Sequence, residues 1–259
     1  DLRRGARRLK RRARPWGTLA VRGNRAQPGW DARNAVTRLA AAGHLALEAI
    51  EHHRLAEVRA RIDKKIMEQL RPKDLFYQIL DGLRSLTGYD HTGMLLRVPA
   101  GRADASEREL EVAAEQIAWR KGKSRRIGAP VVVGEALWAA LGEGRAWGFS
   151  REGGDRWSPW DPLTPAAITS SMGRGWPGGE AELLRPTPPP EEEVIIAPLI
   201  GPAGVAAVLR ISARHAGTFG LYECDLVASM LPQAMVALQN AERTESLQDR
   251  VLQAERKHA

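Results

Sequence analysis

One stretch near the C-terminal end, EVIIAPLI-GPAG-VAAVLRISA (residues 193–213), constrains the fold more than any other. Two β-prone apolar runs flank a four-residue turn containing Gly201, Pro202 and Gly204. Apolar runs of this length, bounded by Gly and Pro, read as strands, and so short a turn makes them an antiparallel hairpin. Neither run alternates cleanly with polar residues, which places the hairpin in an interior.

Helical patterns lie on either side. From about Asp31, the residues Val36, Leu39, Leu47, Ile50, Leu55, Val58, Ile62 and Ile66 recur mostly at three- and four-residue steps, with no proline before Pro72. The pattern predicts a helix too long for an ordinary globular element, a connector with one packed stripe. A second helix is expected over 73–86, where Leu75, Phe76, Ile79, Leu80, Leu83 and Leu86 form a broad apolar face and Gly88 supplies the stop. Strands are expected over 92–98 and 109–119, and a short helix over 136–141. Residues 142–192 lack periodic apolar signal, are rich in Gly, Pro and Trp, and end in PTPPPEEE. They read as one long variable loop, functional or mobile. The last element starts near Leu221: Leu226, Met230, Leu231, Met235 and Leu238 face a core, and Leu247, Val251 and Ala254 continue at coiled-coil spacing. The fold class is α+β, a central antiparallel sheet flanked by helices, with long entry and exit helices.

Charge enters as a question about partners. The 259 residues carry a formal +8. Residues 1–30 hold ten Arg or Lys against one acid, Asp1, for a net +9, and the remainder is −1. The basic excess is therefore confined to the opening DLRRGARRLKRRARPW, and the body is neutral. A binder of anionic polymers or membrane surfaces through residues 3–14 is the alternative reading, with steep salt dependence. No aromatic or recognition motif supports base reading, and a solvated basic segment is the commoner outcome. No h-region follows the arginines, which argues against a secretory signal. No apolar run approaches the roughly 20 residues a membrane helix needs. The sequence starts at Asp1 rather than Met, as a fragment or processed chain would.

Catalytic chemistry finds little support. One cysteine excludes a disulfide scaffold or a multi-cysteine metal site. No G-x-S-x-G elbow occurs, and Gly142, Gly144 and Gly148 match neither a dinucleotide fingerprint nor a P-loop. Cys224 begins a helix, where the dipole would lower a thiol pKa; the plainer reading is a small helix-face residue. His91, at a strand start, is either a haem or metal ligand or, more commonly for such a position, a structural histidine. His52 and His53 sit side by side on a polar helix face and read as solvated. Trp138, Trp147, Trp157, Trp160 and Trp176 fall within 39 residues. They read either as walls of a ligand pocket or as pins holding an irregular lid.

The order helix, strands, variable loop, hairpin, exit helix resembles a GAF domain over roughly residues 70–243. DLFYQILDGLRSLTGYDHTGMLLRV is similar to the family's first helix and central strand, EVIIAPLIGPAGVAAVLRIS to its closing hairpin, and TFGLYECDLVASMLPQAMVALQNAER to its last helix. The resemblance implies a non-catalytic, cytoplasmic bacterial sensory module, with the tryptophans in the segment that covers the ligand cavity. No cofactor is evident, and an unidentified small molecule is the implied ligand. The Asn-Lys…Phe…Asp-Glu pattern of cyclic-nucleotide binders, the mid-domain cysteine of bilin binders and the cysteine pair of methionine-sulfoxide reductases are absent. The ending ALQNAERTESLQDRVLQAERKHA resembles the lead-in to the dimerisation helix of sensor histidine kinases. It implies a homodimer through Leu247, Val251 and Ala254, with a kinase effector downstream; His258 lacks the phospho-acceptor context.

A second likeness is internal. Residues 17–54 can be laid beside 204–243, matching Gly17 with Gly204, Val21 with Val208, Val36 with Val227, Leu39 with Met230 and Leu47 with Leu238. Residues 1–50 are therefore expected to be the cut tail of an upstream GAF-like domain, a reading that Leu19 to Arg22 unpaired and a helix over 32–68 without a partner sheet would fit. Residues 51–70 form the connector, 71–240 the sensory domain and 241–259 the coiled-coil signalling helix.

Overall fold

The computed structural model describes residues 4–11, 14–22, 32–67, 72–99, 109–118, 126–153, 156–172 and 191–258. They fall into two units, divided between Glu57 and Val58.

The first unit holds a two-stranded antiparallel sheet, β1 (Arg4–Arg11) and β2 (Arg14–Arg22), and most of the long helix α1 (Ala32–Met67). Leu19 to Arg22 are not unpaired, so that sign of truncation is not seen: the register pairs Leu19 with Arg7, Ala20 with Ala6, Val21 with Gly5 and Arg22 with Arg4. The basic opening supplies the pairing strand, because backbone groups can form a ladder regardless of side-chain charge. In this part of α1, Val36 is buried, whereas Leu39, Leu45 and Ile50 are exposed. His52 and His53 are exposed, as expected, and His53 lies 3.2 Å from Glu57 one turn on.

The second unit is built on a seven-stranded sheet, antiparallel throughout, in the order β5-β4-β3-β9-β8-β6-β7. Its strands are β3 (Thr92–Arg97), β4 (Glu109–Ile117), β5 (Pro130–Val132), β6 (Trp147–Gly153), β7 (Arg156–Pro159), β8 (Glu193–Gly201) and β9 (Gly204–Ala213). The hairpin foreseen from sequence is β8–β9. Gly204 closes it at φ +107°, a conformation that side-chain-bearing residues rarely adopt. Central placement explains its unbroken apolar run: both faces of β8 and β9 are covered, so nearly every residue from Val194 to Leu199 and from Ala207 to Ala213 is buried.

One face carries α2 (Pro72–Thr87) and α5 (Leu221–His258). The six apolar positions of α2 named above are all buried, and Gly88 ends the helix at φ +70°. Gly82 lets the end of α1 approach α2: a Cβ there would stand 2.9 Å from Ile62 Cδ1 and 3.1 Å from Val58 Cγ1. From α5, Leu226, Val227, Met230, Ala234, Ala237, Leu238 and Ala241 are buried, and beyond Ala241 the stripe runs into solvent.

The other face carries α3 (Glu135–Leu141) and α4 (Ala166–Met172) over a core that includes Met94, Leu96, Leu110, Val112, Leu141, Phe149, Ile168, Val194, Ile196 and Val208. Here the expectation of a single loop over 142–192 is corrected. Residues 147–153 and 156–159 are strands extending the sheet from β8, and 166–172 form a helix; residues 173–190 lie outside the described residues. WGFSREG has no β-branched residue and no sustained alternation, so its strand character comes from the ladder offered by β8 rather than from local propensity.

Candidate functional site

Register decides which side chains meet on the face beneath α3 and α4. The pairs Trp147–Ile196, Ile196–Arg210, Arg210–Met94 and Met94–Glu115 place one residue from each of five neighbouring strands in a single lateral row. The next row toward the start of β3 pairs Val194, Ser212 and Thr92. The face is apolar at one end and polar at the other. Arg210, Glu115, Ser212 and Thr92 are all buried, beside Met94, Ile196 and Val194.

His91 anchors the polar end. It is buried, with Nδ1 2.9 Å from Ser212 Oγ and 3.1 Å from Thr92 Oγ1. Its Nδ1 lies 3.8 Å from a Glu191 oxygen, and the other Glu191 oxygen accepts from Arg210 Nη2. Burial alone would push the Glu191 carboxyl upward, but the Arg210 guanidinium and its hydrogen bond, helped by His91 and Ser212, hold it below the ordinary glutamate range. Arg126 pairs in the same way with Glu115. The charges here are matched, as buried ions must be.

Two donors remain open. Arg210 Nε and Trp147 Nε1 are buried, and no described residue accepts from either. Trp147 is 2% exposed and Arg210 5%. They lie two strands apart in the same row, with Ile196 between them.

The tryptophans divide between the two faces. Trp147 is part of the core under α3 and α4, and Trp138 and Trp157 pack against that core. Trp160 lies on the opposite side: its ring covers Gly148, where a Cβ would collide with it, and its Nε1 donates to Ser150 Oγ at 2.7 Å. Gly148 and Ser150 alternate along β6 with Trp147 and Phe149, so Trp160 cannot share their pocket. Trp176 lies outside the described residues. Spacing in sequence could not separate these groups, since strand alternation was invisible in a segment read as loop. Arg210 went unnoticed for a related reason, as a lone charge within an apolar strand.

Elsewhere, Cys224 is buried on the first turn of α5. Burial, aided by Asp225 and Glu223, pushes its thiol up to about 12, against the lowering expected from the helix dipole. A surface cleft of about 460 Å³ is lined by Arg61, Gln78, Asp81, Arg84 and Ser85 and contains none of the residues singled out from sequence. Among the described residues, no three His, Cys, Asp or Glu side chains gather to hold a metal ion, and no helix is long and apolar enough to cross a membrane.

No protein-family model and no curated protein matches the sequence. Solved structures do. The GAF domain of a phosphoenolpyruvate-protein phosphotransferase from Coxiella burnetii matches at 14% identity and a TM-score of 0.50, covering 75% of this chain and 98% of that one. The GAF domain of an Acinetobacter phosphoenolpyruvate-protein phosphotransferase matches at 10% identity and 0.48, over 73% and 94%. The phycoerythrobilin-bound GAF domain of a cyanobacterial phytochrome matches at 15% and 0.46, again over 73% and 94%. The seven-stranded antiparallel sheet between an α2–α5 layer and a smaller helical layer, together with the Coxiella match, establishes that this chain contains a domain of the GAF fold.

Proposed function

We propose that this chain is a sensory and dimerisation module of a bacterial, cytoplasmic signalling protein. A small molecule held on the α3–α4 face, among Trp138, Trp147 and Trp157, biases the packing of α5. The exit helix then passes a small rotation or register change to an effector, a histidine kinase core being the reading its sequence favours. The supporting observation is the exit helix itself. Its packed stripe ends at Ala241, yet the helix continues to His258 with Leu247 60% and Val251 57% exposed and Ala254 exposed one turn on. Apolar residues at this spacing on a projecting helix call for a second helix, and a second copy of this chain supplies one in register.

Single variants Leu247→Cys and Val251→Cys test the dimer, since buried Cys224 stays silent under mild oxidation. The expected result is a concentration-dependent disulfide-linked dimer from both variants. Its absence at every concentration overturns the reading.

The first unit fits the same scheme as the closing hairpin and exit helix of a preceding GAF-like domain. It repeats the order of β8, β9 and α5, with α1, 36 residues long, in the place of the 38-residue α5. The anion-binding alternative rests on the ten Arg or Lys against one acid among residues 1–30. Deleting residues 1–30 separates the two functions. DNA or liposome retention should vanish with the deletion, and dimerisation through α5 should persist.

A further inference from the structure

We infer that the row Trp147–Ile196–Arg210 is the recognition floor of the ligand site and that it selects an uncharged, flat, largely apolar molecule carrying hydrogen-bond acceptors at two points. The inference rests on the reading of the α3–α4 face as the ligand side and adds the chemical class. Buried donors in native folds are nearly always satisfied, and leaving one open costs its full desolvation. Here two open donors, Trp147 Nε1 and Arg210 Nε, project from β6 and β9 onto one face of one row. Two open donors in one row of a single face point to one ligand that carries acceptors for both. A lone water would serve poorly over Trp147, which belongs to an apolar core cluster with Phe149, Ile196 and Leu141, because a buried water needs two to four polar partners.

Charge bookkeeping sets the class. Glu191 already neutralises Arg210, and Glu115 neutralises Arg126, so among the described residues of this row an anionic ligand would find each cation already matched. A carbonyl or ring nitrogen satisfies an N–H without that penalty. The Ile196 side chain between the donors, with Met94 beyond Arg210, offers an apolar bed. The donor-bearing strands stand about 10 Å apart, two inter-strand spacings, and long side chains narrow that gap. A planar frame of two or three fused rings has the length to span that distance.

The matched probes are 1,8-naphthalimide, uncharged with two carbonyls, and 1,8-naphthalenedicarboxylate, the same frame as a dianion. Titration calorimetry measures affinity, and ¹⁵N NMR follows the Trp147 indole N–H resonance, assigned by its loss in Trp147→Phe. The expected result is that the imide binds at least tenfold tighter than the dianion and shifts that resonance downfield. Trp147→Phe keeps an aromatic ring without the N–H and Arg210→Lys keeps the charge facing Glu191, yet each should weaken imide binding about five- to tenfold. Tighter binding of the dianion overturns the uncharged class while leaving a ligand site on this face. Unchanged imide affinity in both variants overturns the assignment of the donors. No binding of either probe at millimolar concentration overturns the proposal. Should a variant not fold, the imide–dianion comparison and the resonance shift in the native protein still decide. Dimer formation by α5 is read separately from cysteine crosslinking, so the signalling reading can stand or fall without this one.

Discussion

Arg97, at the end of β3, donates through Nη1 to the Glu245 carboxylate on α5 at 2.7 Å, while its Nε donates to Glu111 on β4 at the same distance. The guanidinium also lies over the Phe76 ring of α2, 5.9 Å from the centroid. One side chain thus joins the central sheet, the first helix of the domain and the exit helix just past its last buried residue, Ala241. Burial works against the charge on Arg97, but the two carboxylates outweigh it and raise its pKa. This contact lies between the buried Ala241 and the exposed Leu247 and Val251.

Glu245→Gln should therefore loosen the root of the exit helix more than the domain. Both partners are partly exposed, so the global loss is expected to be only about 1 kcal/mol. Hydrogen exchange should show faster amides after Ala241, with the β8–β9 amides unchanged. Equal acceleration in both regions would mean that Arg97 holds the whole domain rather than the helix root.

Gly148→Ala tests the placement of Trp160. An added Cβ would occupy the space of the indole ring, which must leave and break its bond to Ser150. The expected outcome is a loss of about 1–3 kcal/mol in denaturant unfolding with a red-shifted Trp emission. An unshifted spectrum with native stability would contradict the packing.

Acid should weaken the fold through two carboxyls. Asp90 is opposed by burial but accepts from the Arg214 N–H at 2.8 Å, lies 2.7 Å from His215 Nδ1, and sits below the ordinary aspartate range. Glu191 is lowered by Arg210 despite burial. Both folded-state values lie below the unfolded ones, so their stabilisation is complete above the unfolded values near pH 4 and drains away as pH falls through the lower folded values. Unfolding midpoints measured from pH 7 to pH 2 should fall on the acid side, and Asp90→Asn should flatten part of that limb. An unchanged limb would show that the pair with His215 contributes nothing.

Cys224 should be inert at neutral pH. With its thiol pushed up to about 12 by burial and two nearby acids, disulfide reagents should label it only after denaturation. Rapid labelling of the native protein at pH 7.5 would place the start of α5 in a more open environment.

Gly88 and Gly204 were readable as a helix stop and a turn because each carries a backbone demand that glycine alone meets cheaply, and both adopt positive φ. The α2 face was readable because six large apolar residues at helical spacing have only one way to be buried together. β6 was not, because WGFSREG is a strand only when β8 lies beside it. The site shares that difficulty: Met94, Glu115, Trp147, Ile196 and Arg210 are scattered over more than a hundred residues and become neighbours only through strand pairing.

By itself the sequence determined the β8–β9 hairpin, the three principal helices and the α+β class, since periods of 2 and 3.6 and the punctuation by Gly and Pro are written along the chain. Tertiary structure decided which strands extend the sheet, which face each tryptophan occupies, and which donors are left open beneath α3 and α4. Those are lateral relationships, fixed by inter-strand hydrogen bonds and register between segments far apart in sequence, and a one-residue slip would send every one of these side chains to the other face.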